Sequence, residues 1–423
     1  MTPSQPLSRR AFLAGAASVA AGVSASGGVR PAAAAGSLDA IEHIIVVMME
    51  NRSYDHLLGW LPGSDGRQAG LRYPDRDGTP TPTWHLAPDY QGCGFNDPDH
   101  SFEGARVEFD NGRCDGWLRA GQNDRFAIGY YTQSDLPFLG QAAPAFTTCD
   151  RYFSAIMSST YPNRIYQHAG VTDRLGESFT LSTLPTIWDR LAAAGIDGRY
   201  YFSDVPILAL WGFRYLLIGR FFSSFLSDCA SGNLPAVAYV DPRFLGEEAG
   251  TSGDDHPHSD VRAGESFLAR IYQAVTTSPA WPRTLLVLTF DEWGGFFDHV
   301  PPGQAPDVRP GLHRRGFRVP VVLVSPFARR RHVEHRVYDH TSVLRLIEDR
   351  FGLAPLSVRD ANARSLATAL DLSHPVLSAP SFSVPDVQSA ACPPVAAPRS
   401  PRRGDEWLRL ADLAVQHGWT IGT

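Results

Sequence analysis

The chain has no excess of positive charge, no cysteine pair at metal-binding spacing and no internal repeat. Beyond its first residues it also has no apolar run long enough to cross a bilayer. Each absence removes a class of function. A formal net charge of −6 and a pI near 6.2 are not those of a general nucleic-acid binder, which needs a basic surface. Cys93, Cys114, Cys149, Cys229 and Cys392 form an odd set without C-x-x-C spacing, which argues against a thiolate metal site and a catalytic cysteine. Outside the cell one disulfide is expected, with Cys93 and Cys114 as the pair.

What is present begins at the N-terminus. Ser8-Arg9-Arg10-Ala11-Phe12-Leu13 precedes the weakly apolar stretch Ala14 to Val23, and Pro31 to Ala35 offers small residues for cleavage. This reads as a twin-arginine export signal over residues 1–35, and the mature protein is expected to be secreted. The competing reading, a membrane anchor, suffers from the shortness of the stretch and from Gly15, Gly22, Gly27 and Gly28, which interrupt it.

The length of 423 residues and 43% hydrophobic content suffice for one large α/β domain or two ordinary ones. The expectation is a single domain over 36–423, with a Pro/Ala/Ser-rich wrap at about 373–403 and a short helix from Trp407 to His417. Ile44 to Met49 and Leu285 to Phe290 are unbroken apolar runs, the pattern of strands buried on both faces of a parallel sheet. Gly198 to Phe202, Ala236 to Val240 and Val319 to Val324 read as further strands, ending at Ser203, Asp241 and Ser325. Helical patterns lie at Pro137 to Ala145, Thr186 to Ala194, Gly264 to Val275 and Thr341 to Phe351, the last with Asp339 as N-cap and Gly352 beyond its end. Strands thus alternate with helices, and the fold class is α/β, a mostly parallel sheet sandwiched by helices. The Gly/Pro/Asp-rich region from Leu61 to Gly116 reads as loops over the active face.

Two pairs of polar residues follow the two apolar runs, Glu50-Asn51 and Asp291-Glu292. Chemistry in open α/β sheets sits at the carboxyl ends of strands, and four oxygen-bearing side chains there can hold a metal ion. Either pair taken alone could instead cap a following helix.

The surrounding residues carry a resemblance. Glu50 to His56 reads E-N-R-S-Y-D-H, Thr160 to Arg164 reads T-Y-P-N-R, and Asp291 to Val300 reads D-E-W-G-G-F-F-D-H-V. With these blocks the chain resembles the bacterial phosphoesterase family that holds non-haemolytic phospholipases C, plant non-specific phospholipases C and a group of acid phosphatases. The resemblance implies an alkaline-phosphatase-like core. It also implies a divalent metal ion (Ca, Mg, Mn or Zn, with iron a further option beside histidine) held by Glu50, Asn51, Asp291 and Glu292, and a nucleophile at Thr160 that becomes phosphorylated. From the residues alone Thr160 is as well read as an N-cap before Pro162, and Ser158 and Ser159 are the fallback nucleophiles.

His100, in Asp97-Pro98-Asp99-His100, and His256, in Asp254-Asp255-His256-Pro257, are the candidates for proton donation, with Asp255 orienting a ring. Asn163 and Arg164 complete the Thr160 block; Arg164 would contact phosphate or form an interior salt bridge. His299 is expected to hold the Gly-rich turn, and His340 to act as a helix cap or a site residue. Arg314-Arg315 and Arg329-Arg330-Arg331-His332 could draw the protein transiently to anionic lipid, or simply be solvated. Aromatics at Trp117 and Trp293 to Phe297 could line a choline pocket or belong to the core. The expected activity is that of a secreted phospholipase C acting as a monomer on a phospholipid or small phosphoester. The alternatives are an acid phosphatase acting on monoesters, and an inactive secreted binding protein.

Overall fold

Strand β1 (His43–Met49) occupies the middle of an eight-stranded sheet because neither of its faces tolerates water: Ile44 to Met49 are all buried. The computed structural model describes residues 36–393 and 406–422. The export signal expected over 1–35, and residues 394–403 of the Pro-rich segment, lie outside the described residues.

The other strands of this sheet are β2 (Thr147–Cys149), β3 (Gly198–Phe202), β4 (Gly219–Phe221), β5 (Val237–Asp241), β6 (Thr284–Phe290), β7 (Val322–Val324) and β8 (His332–Glu334). Their order is β8-β2-β7-β6-β1-β5-β3-β4. β1 runs parallel to β5 on one side and β6 on the other, with Val47 opposite Val240 and Met49 opposite Phe290. β3 and β4 continue the parallel run, whereas β7 is antiparallel to both β6 and β2. The sheet is therefore mostly parallel and flanked by helices, the α/β class expected.

Four helices carry or support the functional edge of this sheet: α1 (Thr160–Ala169), α2 (Val261–Thr276), α3 (Thr341–Phe351) and α4 (Glu406–Gln416). α2 buries Leu268, Ile271, Tyr272 and Val275, an i, i+3, i+4, i+7 stripe. Each aliphatic chain so withdrawn from water contributes about 1.5–3 kcal/mol. Ile165, Leu268, Leu344 and Leu410, one from each helix, join the strands in one hydrophobic core.

Several local expectations change. β7 starts only at Val322 because Pro320 has no N–H to give a ladder. α2 begins at Val261, before Gly264, because the Asp260 carboxylate caps it by accepting from the Arg262 amide at 2.9 Å. His340, not Asp339, is the N-cap residue of α3, although Asp339 still accepts from the Thr341 amide at 2.9 Å. The region from Leu61 to Gly116 is mostly loop but contains the helix Gly104–Phe109.

The disulfide differs too. Cys93 pairs with Cys392, not with Cys114, which is a buried free thiol. The bond ties the loop at Cys93 to an extended strap that follows Leu370 across the surface, anchored where Tyr272 and Gln91 donate to the carbonyls of Pro380 and Ala390. Sequence spacing carries no information about so distant a partner.

Candidate active site

One arginine gathers the acids at the carboxyl ends of the central strands. Glu50 and Asp291 follow β1 and β6, and Asp241 ends β5, so parallel pairing in register brings all three to one level. Arg164 rises from α1 between them, 3.0 Å from Glu50 Oε1, 3.1 Å from Asp241 Oδ1 and 3.1 Å from Asp291 Oδ2. Its remaining hydrogens go to the carbonyls of Met48 and Met49. All of its donors are directed into the protein, so Arg164 takes the interior salt bridge of its two readings.

The Glu50 contact is one of charge only. Glu50 Oε1 has no aligned hydrogen bond despite its nearness to Arg164, and Glu292 Oε1 is likewise buried without a hydrogen-bond partner. Asp291, by contrast, accepts from the amides of Asn51 at 3.2 Å and Glu292 at 2.7 Å. Glu292 Oε2 accepts from the Gly294 amide at 2.7 Å. Burial, and after it the charge of Asp291, push both Glu50 and Glu292 well above the ordinary carboxylate range; burial raises Asp291 as well.

Asn51 links this acid level to Thr160. Its backbone has φ of +56°, a left-handed conformation that asparagine tolerates better than most residues. The chain after β6 can lie against it only because residue 294 is glycine: a Cβ there would come within 2.1 Å of the Asn51 carbonyl oxygen. Thr160 Oγ1 donates to Asn51 Oδ1 at 3.4 Å, and Asn51 Nδ2 faces His100 Nε2 at the same distance. Since His100 Nδ1 donates to the Pro98 carbonyl at 2.8 Å, a neutral ring presents the lone pair of Nε2 to Asn51.

Thr160 is the first residue of α1, after Ser159 at the N-cap position. Asn163 shapes the turn before it, donating to the carbonyls of Ser158 and Ser159 and accepting from the Ile156 amide. The fallback nucleophile Ser158 donates its hydroxyl to the Leu175 carbonyl at 2.7 Å. Thr160 lines a cavity of about 680 Å³ together with Glu50, His100 and His256. Tyr161, Phe244, Leu245, Trp407 and Leu408 give the same cavity an apolar wall. Trp407 is stacked on Phe244 with ring centroids 3.8 Å apart.

His256 is positioned otherwise than expected. Its Nδ1 donates to the Pro257 carbonyl, not to Asp255. Asp255 packs its carboxylate against Gly264 in α2, where a Cβ would come within 2.0 Å of Oδ1, so it does not orient the ring. The Nε2 side of His256 faces Asp97 Oδ2 at 4.0 Å, and Glu247 Oε2 lies 3.8 Å from Nδ1. Burial, then the neighbouring His100, hold His256 well below the ordinary imidazole range.

These donors can hold a divalent cation. Ligand atoms of Glu50, Glu247 and His256 lie within 4.8 Å of one another, as do those of Asp97, His100 and His256. Of the expected quartet Glu50, Asn51, Asp291 and Glu292, Glu50 belongs to the first of these groups, while Asp291 is engaged by Arg164 and backbone amides. Buried carboxylate oxygens without hydrogen bonds, beside imidazole lone pairs, fit a hard or borderline ion. Asp97 and Asp241 were legible as an acid in a loop motif and an acid at a strand end. Glu247 carried no signal, since it lies in a Gly-flanked loop without a motif.

The remaining candidates lie outside the cavity lining. His340 donates from Nε2 to the Asp291 carbonyl and meets Tyr152 through Nδ1, and burial lowers it to about 4. His299 hydrogen-bonds Asp55 Oδ2 in a separate cluster with Asp298 and Arg318. Trp117, Trp293, Phe296 and Phe297 are fully buried and belong to the core. Three arginines of the basic runs are held within the protein: Arg315 pairs with Asp339, Arg314 covers the Phe109 ring, and Arg330 donates to the carbonyls of Val376 and Ser378.

The chain is similar to known proteins. The family model described as "Phosphoesterase family" matches residues 41–215 and 213–354. The chain is 28% identical to a protein named phospholipase C A from Mycobacterium tuberculosis, over 81% of this chain and 82% of that one. It is 29% identical to the non-hemolytic phospholipase C of Pseudomonas aeruginosa, over 84% of this chain and 60% of the relative. Among solved structures, a protein in the alkaline phosphatase superfamily from Vibrio parahaemolyticus is similar over 76% of this chain and 69% of its own, with 8% identity and a TM-score of 0.37. Among the described residues no helix is long and apolar enough to cross a membrane.

Proposed function

The chain belongs to the phosphoesterase family, and from that premise we propose that it is a secreted, divalent-metal-dependent phospholipase C working through a phosphothreonine. The observation that carries this reading is a hydroxyl, Thr160 Oγ1, hydrogen-bonded to Asn51 in the wall of a cavity shared with Glu50, His100 and His256. The relatives named phospholipase C and the apolar wall of Tyr161, Phe244, Leu245, Trp407 and Leu408 support a lipid substrate over a bare phosphate monoester.

Glu50 and Glu292, with Asn51 and Glu247, would hold the cation, which would supply positive charge to phosphoryl oxygens and favour the ionised Thr160 hydroxyl. Asn51 Oδ1 orients Thr160, and Asn163 fixes the turn from which it projects. Thr160 Oγ attacks phosphorus, forming the P–O bond to threonine as the P–O bond to the glycerol oxygen breaks. The departing oxygen takes a proton from His256 or His100, whose imidazolium form is favoured once the phosphate charge lies beside it, releasing diacylglycerol. Water then cleaves the phosphothreonine to free the phosphorylated headgroup and restore the hydroxyl.

Initial rates on phosphatidylcholine, p-nitrophenyl phosphorylcholine and p-nitrophenyl phosphate test the reading. We expect both diesters to be cleaved well above the monoester. A preference for the monoester would make the protein an acid phosphatase, and no turnover of any of the three would leave only a binding role.

A further inference from the structure

We propose that the segment from Phe213 to Arg220, with the adjoining outer face of α4, is the surface by which this protein docks on a phospholipid bilayer; the proposal rests on the phospholipase reading above. The segment contains the two most exposed large apolar side chains among the described residues, Leu217 at 89% and Phe213 at 73%. The segment 213–220 itself contains no acid, and Arg214 and Arg220 flank Leu217 on either side. Arg220 is exposed and donates only to the carbonyls of Leu217 and Gly219, while Arg214 pairs with Asp189 at the surface.

This is not a loose loop that happens to carry apolar residues. The buried Tyr215 hydrogen-bonds Thr186 and Asp189 through its hydroxyl, Leu216–Ile218 form a 3-10 turn, and β4 follows as the edge of the sheet. Phe213 and Leu217 are therefore held outward by a frame that buries their neighbour. Apolar tips ringed by arginine match a lipid surface: the guanidinium groups meet phosphates while the tips enter the acyl boundary. Of the arginines at 314–315 and 329–331, expected to serve this role, Arg314, Arg315 and Arg330 are engaged within the protein.

The segment is also connected to the cavity. α4 begins at the cavity, where Trp407 and Leu408 line it, and ends beside the segment, where Trp419 donates to the Gly212 carbonyl at 2.8 Å. A helix of this length spans about 15 Å. Leu408 and Val415, seven residues apart on one helix face, are 53% and 55% exposed. Between them on that face lies the exposed Asp412, so the helix joins the segment to the cavity by its length and not by an unbroken apolar strip.

The test is a Phe213→Ser/Leu217→Ser double variant of the full chain, compared with wild type in flotation on vesicles of phosphatidylcholine and phosphatidylglycerol. Hydrolysis of those vesicles and of monomeric p-nitrophenyl phosphorylcholine is measured in parallel. We expect vesicle binding and vesicle hydrolysis to fall about tenfold or more, with the soluble diester cleaved as before. Wild type that ignores vesicles, a variant that binds them equally well, or a wild-type dimer that the variant dissociates would each overturn the proposal. If wild type binds vesicles through these residues yet cleaves neither substrate, the docking surface stands and the phospholipase reading falls.

Discussion

Two buried clusters are built from the same ingredients and differ in one respect. In the first, Arg164 meets Glu50, Asp241 and Asp291; in the second, Arg318 meets Asp55 and Asp298, with His299 beside them. Both draw on the same two sequence blocks, five to seven residues apart. In the second, every carboxylate oxygen is engaged. Asp55 Oδ1 accepts from Arg67 and Arg318, its Oδ2 from the amide and ring of His299, and the Asp298 oxygens from Arg318, Val300 and Asp55. In the first, Glu50 Oε1, at a cavity that also holds a hydroxyl and two imidazoles, is left without a hydrogen bond, as is Oε1 of the nearby Glu292. Although Asp55, Asp298 and His299 also lie close enough together to suggest a metal site, a full set of hydrogen bonds makes that cluster a joint of the fold. Hydrogen-bond satisfaction, not acid density, separates these two clusters.

The comparison breaks most sharply on the nucleophile. Thr160→Ala should lower turnover by on the order of 10⁴-fold while the melting temperature stays put; undiminished turnover would remove Thr160 from the chemistry. Arg318→Met should destabilise by about 3–5 kcal/mol, because it strands Asp55 and Asp298 without a countercharge. Arg164→Met should cost a similar amount in chelator but recover much of it when a divalent cation is added. Denaturant melts of both variants, with and without metal, check this, and equal metal rescue of the two would erase the distinction between the clusters.

A pH series sharpens the contrast. Burial raises Asp254, beside Glu50, to about 7, and Glu50 and Glu292 are raised as well. A carboxyl whose pKa is higher folded than unfolded binds more protons when folded, so its contribution falls as pH rises between the two values. The carboxyl contribution in chelated protein, read as the difference between wild type and Glu50→Gln/Glu292→Gln, should therefore fall from about pH 4 to about pH 7, and bound cation should flatten that decline. A smaller effect is expected from Asn163→Ala, which frees the turn before Thr160: kcat should drop about tenfold, with KM little changed.

Much of this was legible in the chain itself. β1 and β6 were visible as unbroken apolar runs because a strand buried on both faces has no other composition available to it, and the polar pairs after them lie together at the carboxyl ends of those strands. Thr160 was legible through the Pro162 that follows it. What stayed hidden depended on three-dimensional closure. Cys392 reaches Cys93 only because an extended strap crosses the surface, Glu247 reaches Glu50 from a loop without periodicity, and Asp255 turns to Gly264 because that residue leaves room for it. Whether Arg164 bound phosphate or acid could not be settled by type or spacing, since the outcome depends on the strand register that aligns Glu50, Asp241 and Asp291.

The central claim is that the oxygens of Glu50 and Glu292 that lack hydrogen bonds hold a cation beside Thr160, and elemental analysis of the purified protein tests it most directly. We predict that wild type retains a stoichiometric divalent ion, that Glu50→Gln/Glu292→Gln loses it together with activity, and that Asp298→Asn keeps it. An active enzyme without any ion, or an ion that survives in the Glu50→Gln/Glu292→Gln variant, would contradict the account.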